Sequence, residues 1–453
     1  MKKYYHLIGI GGIGMSGIAH LLLKSGFRVS GSDLKENLIT RQLASEGAEI
    51  FLGHKAQHVS KQDLVVYSSA ISEDNPEVCQ AQVLGIPLIK RAQALAQLMQ
   101  EKTAITVAGS HGKTTTTSLI SYMLLEAGLC PTVAIGGILN NIQTNACLGA
   151  GEFFIAEADE SDGSFLNYAP KYSIVTNIDQ EHLDYYHSFS QELDAFRLFI
   201  KRTQPGGCVF ACSDDQNLLD IMRAYEDRKI LFGLDSSLAD IYADNIIFNG
   251  LLCDFDCYFK GKFIERFHLA LGGRHNISNS LAVVGLGLEL GIDLKYVRRS
   301  LAGYKGAGRR LEMKFRSGKY LVIDDYAHHP SEIKATLAAV ANLEVKRKIV
   351  VFQPHRYTRT QLLINDFAES FTLADYLIIT DIYAASEKPI EGVSARLLCE
   401  KIKAYAPDKE ILYLPKEDIL VHLLAMIKEG DLVLTLGAGD IVRVSDALAQ
   451  ELK

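Results

Sequence analysis

The sequence lacks the features that mark membrane-spanning and disordered proteins. None of its apolar runs reaches the about 18 residues that a transmembrane helix needs, because glycine or polar residues interrupt each one. Glycine and proline together make up about a tenth of the 453 residues, far below the roughly 25–30% of low-complexity chains. We therefore expect ordinary globular cores and no membrane insertion.

The sequence also lacks a large charge excess and a cysteine framework. Its net charge of −7 gives no general attraction to nucleic acid, so no nucleic-acid partner is expected. The 8 cysteines include the spaced pairs Cys208/Cys212 and Cys253/Cys257 but no Cys-x2-Cys motif, which favours reduced thiols. Several glycines break the first apolar stretch, which disfavours a secretory signal. We expect a cytoplasmic monomer or homodimer.

Strand-like apolar runs alternate with helical periodicity along most of the chain, which predicts parallel α/β sheets. At roughly 150 residues per domain, the length favours about three domains. We predict a Rossmann-like N-terminal domain over 1–100 and a central P-loop ATPase-type α/β domain over 101–311. The central domain is expected to contain a β-rich insertion at 239–271. A second Rossmann-like α/β domain is predicted over 312–453.

A first glycine-rich turn follows the first predicted strand. Gly9, Gly11 and Gly14 have the G-x-G-x-x-G spacing, and Asp33 ends the next strand. Glycines at this position let the backbone approach a pyrophosphate at the N-terminus of a helix. NAD, FAD and a UDP-sugar all remain candidate ligands, and a tight turn without a ligand is the alternative.

A second glycine-rich turn follows the predicted strand TAITVA and consists of Gly109, Ser110, His111, Gly112, Lys113, Thr114 and Thr115. Its backbone N–H groups could surround phosphates, while Lys113 reaches a γ-phosphate and Thr114 binds Mg²⁺. Val107 stands where the general Walker motif has glycine. A chance Gly-Lys-Thr turn is the alternative, but the strand, the turn and the threonine-rich helix start together favour nucleotide binding.

Acidic residues cluster at the carboxyl ends of two further predicted strands, in EFFIAEADESD and YSIVTNIDQEHLD. Carboxylates at that edge of a parallel sheet suit Mg²⁺ beside bound phosphates. Most of the carboxylates in these two runs are expected simply to solvate a loop or cap a helix. We therefore predict metal binding only for Glu157 and His182.

Basic and acidic side chains also follow two strands of the third predicted domain. YLVIDDYAHHPSEI supplies Asp325 and His328, and VVFQPHRYTRT supplies His355, Arg356 and Arg359. Arginine binds carboxylates and phosphates through its forked guanidinium. A zinc site is the alternative, but these histidines are accompanied by no thiolate and no His-Glu-x-x-His helix.

Taken together, these segments resemble the ATP-dependent Mur ligase family over nearly the whole chain, and the opening GIGGIGMSG loop favours the alanine-adding members. The segments that carry the resemblance are GIGGIGMSGIA (9–19), SSAIS (68–72), GSHGKTTT (109–116), EADESDGSF (157–165), TNIDQEHLD (176–184), GRHNISN (273–279), GRRLE (308–312), DDYAHHP (324–330), PHRYTR (354–359) and GAGDI (437–441).

The resemblance implies a reaction, its substrates and its cofactors. ATP and Mg²⁺ would convert the lactyl carboxylate of UDP-N-acetylmuramate into an acyl phosphate, and L-alanine would displace the phosphate. This is a step of cytoplasmic peptidoglycan precursor synthesis. The competing functions are a nicotinamide-dependent dehydrogenase, a nucleotide-gated binding protein, and sister ligases that add another amino acid, extend a folate or recycle a tripeptide.

The resemblance also assigns roles to residues. Catalysis would depend on Lys113, Glu157, His182, His328 and Arg356. Besides the turn 109–115, ATP would contact His275, Asn276, Arg310 and Asp325. The UDP-sugar would contact Gly11, Gly12, Ile13, Gly14, Asp33 and Ser69, within the domain 1–100. The metal would be held by Thr114, Glu157 and His182.

One segment departs from the family pattern. Other members carry a carbamoylated lysine a short distance past the metal-binding histidine, whereas this chain has Phe196 and Arg197 there. The alanine-adding members share this departure, so it fits the resemblance. It leaves the ligands of a second metal open.

Overall fold

The computed structural model describes residues 2–385 and 387–453, with every side chain of these except those of Leu183 and Asp184. The described residues fold as two compact units. The first takes in the residues up to Asn245 together with Phe255–His268 and Ile277–Lys305. The second consists of Ile246–Asp254, Leu269–Asn276 and Gly306–Lys453.

The first unit begins with alternating strands and helices. They are β1 (Tyr4–Ile8), α1 (Ile13–Lys24), β2 (Arg28–Asp33), α2 (Leu38–Ser45), β3 (Glu49–Leu52), β4 (Leu64–Tyr67), α3 (Pro76–Leu84), β5 (Leu88–Lys90) and α4 (Arg91–Met99). The strands form a parallel sheet in the order β3-β2-β1-β4-β5. The chain leaves β1 toward one edge and later returns to its other side, so the turn after β1 lies at a topological switch point, where α/β sheets bind ligands.

A larger mixed sheet follows. Its elements are β6 (Thr103–Ala108), α5 (Lys113–Glu126), β7 (Thr132–Leu139), β8 (Thr144–Cys147), β9 (Phe153–Glu157), β10 (Tyr172–Val175), α6 (Leu183–Tyr186), α7 (Phe189–Lys201), β11 (Cys208–Cys212), α8 (Gln216–Arg223), β12 (Lys229–Gly233), β13 (Ile241–Asn249), β14 (Leu252–Phe259), β15 (Lys262–Leu269), α9 (Arg274–Glu289) and α10 (Leu294–Ala302). The strand order is β15-β14-β13-β12-β11-β10-β6-β9-β7-β8. β6 therefore lies between β9 and β10, and the predicted β-rich segment at 239–271 forms the three strands at one edge.

The third sheet belongs to the second unit. Its elements are β16 (Glu312–Arg316), β17 (Tyr320–Asp325), α11 (Pro330–Val340), β18 (Arg347–Phe352), α12 (Tyr357–Leu362), α13 (Ile364–Ser370), β19 (Tyr376–Ile379), α14 (Ala395–Tyr405), β20 (Glu410–Tyr413), α15 (Lys416–Met426), β21 (Asp431–Leu436) and α16 (Val442–Glu451). The strand order is β16-β17-β21-β18-β19-β20, with β16 antiparallel to β17 and the other pairs parallel.

Helices cover both faces of the third sheet, which explains its continuous apolar strands. Along β18, Val350 and Phe352 pack into one buried cluster, whereas Ile349 and Val351 pack into another. Successive side chains of a strand point to opposite faces, so each strand supplies both cores. The run KIVVF in β18 is therefore a strand buried on two sides.

The predicted fold class is confirmed, since parallel α/β sheets organise all three regions and the central sheet is mixed. The helical periodicity of RAQALAQLMQEK corresponds to α4. The boundaries at 100/101 and 311/312 stay a prediction. Among the described residues, every helix is too short or too polar to span a bilayer.

Candidate active site

The turn between β6 and α5 has a conformation that glycine makes possible. Gly112 has φ +83°, and a Cβ at this position would lie 2.7 Å from Oδ1 of Asn279. The turn is held from outside by Asn177, which follows β10: its Oδ1 accepts from the His111 backbone N–H at 2.8 Å, and its Nδ2 donates to the His111 carbonyl at 3.0 Å. These hydrogen bonds hold the turn in one conformation and so fix the position of the backbone N–H groups at the start of α5.

The Lys113 side chain folds back over this turn. Its Nζ donates to the Gly109 carbonyl at 2.6 Å, to the Ser110 carbonyl at 3.1 Å and to Oε1 of Glu160 at 2.8 Å. Glu160 is fully buried, so the ion pair lies in a weakly screened environment. The arrangement places a positive charge beside the backbone N–H groups of the turn, where a phosphate would need it.

Neighbouring carboxylates keep Lys113 protonated. Burial alone lowers the pKa of Lys113, but the charges of Glu160 and Asp159 outweigh it, and the pKa lies above its ordinary value. The pKa of Asp159 lies below its ordinary value, because the charges of Lys113 and Arg91 lower it by more than burial raises it. Lys113 is therefore a permanent cation at neutral pH.

Three potential metal ligands converge next to Lys113. One ligand atom each from Glu160, Glu181 and His182 lies within 4.8 Å of the others. His182 Nε2 is 3.6 Å from Oε1 of Glu160 and 3.5 Å from Oε2 of Glu181. Burial lowers the pKa of His182, but the two glutamates raise it above its ordinary value. Oε2 of Glu160 is buried and has no hydrogen-bond partner among the described residues.

Thr114 and Glu157 both approach the two consecutive glycines of β7. A Cβ at Gly136 would lie 2.4 Å from Oε2 of Glu157, and a Cβ at Gly137 would lie 3.1 Å from Cγ2 of Thr114. Because consecutive Cα atoms are about 3.8 Å apart, both side chains lie at the same part of β7. The small glycines leave room for the carboxylate and the threonine side chain beside the strand.

The turn after β1 is anchored by the end of β2. Oδ2 of Asp33 accepts from the Gly11 N–H at 2.8 Å, and the Ser32 carbonyl accepts from the N–H groups of Gly9 and Ile10 at 2.8 and 3.0 Å. Asp33 therefore contacts the loop itself. A Cβ at Gly11 would lie 2.8 Å from the Asp33 carboxylate, so a larger residue would displace it.

A cleft of about 370 Å³ extends from this turn to the central sheet. Two contacts close one side of it: Nδ2 of Asn145 donates to the Ile13 carbonyl at 2.8 Å, and Arg91 lies 3.8 Å from Asp159. The residues that line the cleft include Gly12, Ile13, Gly14, Ser69, Arg91, Gly136, Asn145, Glu157 and Asp159. Most of the residues predicted to bind the UDP-sugar thus share one cleft with the predicted metal ligand Glu157.

In the second unit, Asp325 lies at the carboxyl end of β17. Its carboxylate accepts from the Leu311 N–H at 2.6 Å and from the Ala327 N–H at 2.8 Å. Burial raises the pKa of Asp325 to about 6, although the Arg310 charge lowers it. The Arg310 guanidinium lies 5.1 Å above the Tyr326 ring and 3.4 Å from Glu332.

Aromatic and basic side chains gather beyond β17 and β18. The His328 and His355 rings meet edge to face at 5.4 Å, and the His355 ring stacks on Tyr383 at 5.6 Å. Nη1 of Arg359 lies 3.2 Å from Nδ1 of His355. Burial and the charges of His328, Arg359 and Arg356 lower the pKa of His355 to about 3, so its imidazole is neutral.

Arg356 has φ +69°, an uncommon conformation for a residue other than glycine, and its N–H donates to the Tyr383 carbonyl at 2.8 Å. His275 and Asn276 lie near the start of α9, where His275 is exposed and Nδ2 of Asn276 donates to the Gly272 carbonyl at 2.8 Å. The structure thus brings His328 and His355 together, whereas His275 and Asn276 are neighbours in sequence at the start of α9.

Sequence reasoning missed Glu160 and Glu181, which it treated as loop or cap residues. That interpretation is wrong, because both are buried and face Lys113 or His182. The signal available was their position in the runs that follow β9 and β10, the strands that flank β6. Phe196, which stands where the resemblance implies a lysine in other members, is fully buried against Phe165, with ring centroids 5.3 Å apart.

The fold and the two glycine turns define a nucleotide-binding α/β protein with a basic turn beside buried carboxylates. Three family models match the chain in succession: the Mur ligase family catalytic domain at residues 4–103, the Mur ligase middle domain at 107–287, and the Mur ligase glutamate ligase domain at 309–439. The chain belongs to the Mur ligase family.

The similarity to named relatives extends over the full length. UDP-N-acetylmuramate–L-alanine ligases of Desulfatibacillum aliphaticivorans and Geotalea uraniireducens are 47% and 45% identical, covering 98% and 99% of this chain and 98% of each relative. The crystal structure of the UDP-N-acetylmuramate-alanine ligase of Thermotoga maritima has a TM-score of 0.84 at 29% identity, with 99% of both chains covered. A murein peptide ligase of Psychrobacter arcticus shares the fold, with a TM-score of 0.73, 24% identity, and 99% and 98% of the two chains covered.

Proposed function

We propose that this chain joins L-alanine to the lactyl carboxylate of UDP-N-acetylmuramate at the expense of ATP, in the cytoplasm, during peptidoglycan precursor synthesis. The observation that carries the proposal is the full-length identity of 45–47% with ligases named for this reaction. The residues of the two glycine turns agree with it, because the reaction needs sites for two phosphate-bearing substrates. We assign residues 1–100 to the UDP-sugar and 101–311 to ATP, and we take 312–453 as a C-terminal α/β domain.

The chemistry proceeds in two steps. A lactyl carboxylate oxygen attacks the γ-phosphorus of ATP, the bond from that phosphorus to the bridging oxygen breaks, and ADP leaves with an acyl phosphate formed. The neutral amine of L-alanine then attacks the acyl carbon. The tetrahedral intermediate expels inorganic phosphate, the nitrogen loses a proton, and an amide results. Both steps place negative charge on phosphoryl oxygens, which cationic groups must stabilise.

Lys113 is the cation best placed to stabilise the transferring phosphoryl group. It is protonated, lies over the turn 109–115 and is held there by Glu160. Backbone N–H groups at the start of α5 would receive the other phosphate oxygens. A γ-phosphate would compete with Glu160 for the ammonium group, so the ion pair keeps the lysine charged and positioned until ATP binds.

The residues present suit Mg²⁺. Glu160 offers a buried carboxylate oxygen without a partner among the described residues, which is a position where a cation would satisfy an uncompensated charge. Thr114, Glu157 and His182 are the ligands we assign, with Glu160 and Glu181 as further carboxylates at the same edge of the sheet. Bound there, Mg²⁺ would neutralise charge on the β- and γ-phosphates.

The remaining assignments follow the resemblance to the family. We assign His275 and Asn276 to the adenine, Asp325 to the ribose and Arg310 to the phosphates of ATP. His328 and Arg356 would bind the carboxylate of L-alanine or of the sugar. The neutral imidazole of His355 lies between His328 and Tyr383, where it would help to orient the His328 ring without adding charge.

The turn after β1 is assigned to the UDP-sugar. Gly11, Gly12, Ile13 and Gly14 precede or begin α1, where a diphosphate would meet the N–H groups of the first helical turn, and Ser69 lines the same cleft. Asp33 acts by holding the Gly11 N–H. The cleft continues to Glu157, so a sugar bound here would extend from the first sheet toward the central one.

The test is a panel of amino acids offered with UDP-N-acetylmuramate and ATP, read by mass spectrometry of the nucleotide product and by phosphate release. We expect ADP, phosphate and the L-alanyl product to form in equal amounts, with release dependent on both other substrates. Product formed with another amino acid or with a preformed tripeptide, but not with alanine, would contradict the proposal. Glycine and serine differ from alanine by one methyl or hydroxyl group, a discrimination worth only about 1–3 kcal/mol.

A further inference from the structure

A buried cluster of one glutamate and three histidines lies beside the first sheet, and no role was assigned to it above. Glu77 is the second residue of α3 and is fully buried. His6 of β1 approaches its carboxylate at 3.4 Å, His54 at 3.5 Å and His58 at 2.6 Å. A charged group this deep is costly unless it is fully hydrogen-bonded, so the cluster needs an explanation.

The hydrogen bonds around Glu77 reach the end of β2. The Ser32 hydroxyl donates to Oε2 of Glu77 at 2.5 Å and accepts from His54 Nδ1 at 2.9 Å, while the Lys55 N–H donates to Oε1 at 3.2 Å. Burial alone raises the pKa of Glu77, but the hydrogen bonds from His6, Ser32 and His58 hold it at about 2. Glu77 is thus an anion that fixes the Ser32 side chain.

Ser32 in turn contacts the glycine turn. Its carbonyl accepts from the N–H groups of Gly9 and Ile10, and the next residue, Asp33, accepts from Gly11. Two consecutive residues of β2 therefore accept hydrogen bonds from three consecutive N–H groups of the turn. The chain of contacts runs from Glu77 through Ser32 to the turn that begins α1.

We propose that Glu77 is a positioning residue for the diphosphate-binding turn, acting through Ser32 to fix the end of β2 that holds Gly9, Ile10 and Gly11. This inference rests on the proposed function, in which that turn binds the nucleoside diphosphate of the sugar substrate. A buried hydrogen-bonded network suits the role, since it specifies one backbone arrangement more sharply than apolar packing does. Loss of a link would leave the turn folded but less well preorganised, which weakens binding.

The test compares three variants of the full chain by calorimetric titration with UDP-N-acetylmuramate and, separately, with ATP. Glu77→Gln removes the charge, and Ser32→Ala removes the link while keeping Glu77. Each is expected to raise the Kd for the sugar nucleotide about 10-fold, with the Kd for ATP changed less than 2-fold. The Kd of the double variant for the sugar nucleotide is expected to be no higher than that of the weaker-binding single variant, because both changes break the same chain of contacts.

Ser30→Ala is the matched control, since Ser30 lies two residues away on β2 and its hydroxyl contacts His6 at 2.9 Å. It is expected to change the Kd for the sugar nucleotide less than 2-fold. Unchanged affinity in Ser32→Ala, equal losses for both nucleotides, or additive losses in the double variant would overturn the inference. Failure of the wild-type chain to bind UDP-N-acetylmuramate would instead contradict the proposed function.

Discussion

The two glycine turns of the first unit occupy the same place between a strand and a helix, but different charged side chains hydrogen-bond to their backbone. Each follows a central strand of a sheet and leads directly into a helix. The turn after β6 carries Lys113, held by the buried Glu160, whereas the Asp33 carboxylate contacts the turn after β1. The backbone geometry is suited to binding phosphate in both places. A cation poised to stabilise transferring charge is present in the turn after β6.

This difference separates holding a phosphate from transferring one. Helix N–H groups can bind a diphosphate whose bonds stay intact, and an anion such as Asp33, which accepts from the Gly11 N–H, fixes the shape of the turn. Phosphoryl transfer also needs a positive charge that is preorganised before the substrate arrives. The Lys113–Glu160 pair meets that need, which is why we assign ATP to one turn and the UDP-sugar to the other.

Two buried carboxylates show how donors decide the charge of such supporting groups. Glu77 receives hydrogen bonds from histidine, serine and backbone groups, and its pKa is about 2. Asp325 accepts from two backbone N–H groups, and burial raises its pKa to about 6. Burial raises both pKa values, but at Glu77 the hydrogen bonds and the His6 charge outweigh it, whereas at Asp325 burial outweighs the Arg310 charge and the two backbone hydrogen bonds.

Lys113 distinguishes the two turns most clearly, and its removal is expected to have the largest effect. Lys113→Ala is expected to lower turnover by a factor of about 10²–10³, because the γ-phosphoryl loses its main charge stabiliser. Phosphate release dependent on alanine measures the effect, and Lys262→Ala, at an exposed lysine of β15, is the control. Near-normal turnover of Lys113→Ala would refute the assignment.

His328 and Arg356 lie outside both turns and are assigned to a substrate carboxylate, so their removal should leave ATP binding nearly unchanged. His328→Ala and Arg356→Ala are each expected to raise the KM for alanine or for the sugar nucleotide about 10–100-fold, as expected for loss of a hydrogen bond to a charged group. The KM for ATP should change much less. Steady-state kinetics with each substrate varied in turn will measure this, and selective weakening of ATP would reassign both residues.

Each turn can also be perturbed by one methyl group. Gly112→Ala forces a side chain into a left-handed conformation against Asn279, and Gly11→Ala places a Cβ against Asp33. We expect Gly112→Ala to raise the KM for ATP and Gly11→Ala that for the sugar nucleotide, each by about 10-fold, from roughly 1–2 kcal/mol of strain. Gly318→Ala, where a Cβ would meet no atom within 4 Å, is the control. Swapped selectivities would show that the ligand assignments are reversed.

The contrast between the buried carboxylates predicts a pH dependence of stability. Because the folded-state pKa of Asp325 is raised to about 6, its contribution to stability is full below about pH 4 and is lost as the pH rises through 6. Relative to Asp325→Asn, the free energy of unfolding of the wild-type chain should fall by about 1–2 kcal/mol between pH 4 and 7. Denaturant titration without nucleotide measures it, and a difference constant with pH would contradict the prediction.

Local sequence patterns predicted those sites whose residues are contiguous in the chain. Strand, glycine turn and helix start are contiguous in sequence, so both turns and the helix α5 could be located from the residues alone. The α/β class followed from alternating periodicity. Resemblance to the family added the reaction, which no spacing of residues contains.

Burial and long-range contact could not be read in the same way. The acidic runs after β9 and β10 looked like solvated loops, and Glu160 becomes a partner of Lys113 because those strands flank β6 in the sheet. The Glu77 cluster draws on residues from four separate segments. Only the strand order brings them together, and a single sequence does not state that order.

The central claim is that the turn closed by Lys113 delivers the γ-phosphoryl of ATP to the carboxylate of the sugar. It can be tested by supplying UDP-N-acetylmuramate labelled with ¹⁸O in both lactyl carboxylate oxygens, together with ATP and L-alanine. If the γ-phosphoryl group passes to the carboxylate, each released phosphate will carry one ¹⁸O and the amide product will keep the other. Amide formed with unlabelled phosphate, the second ¹⁸O appearing in AMP or in water, would contradict this claim.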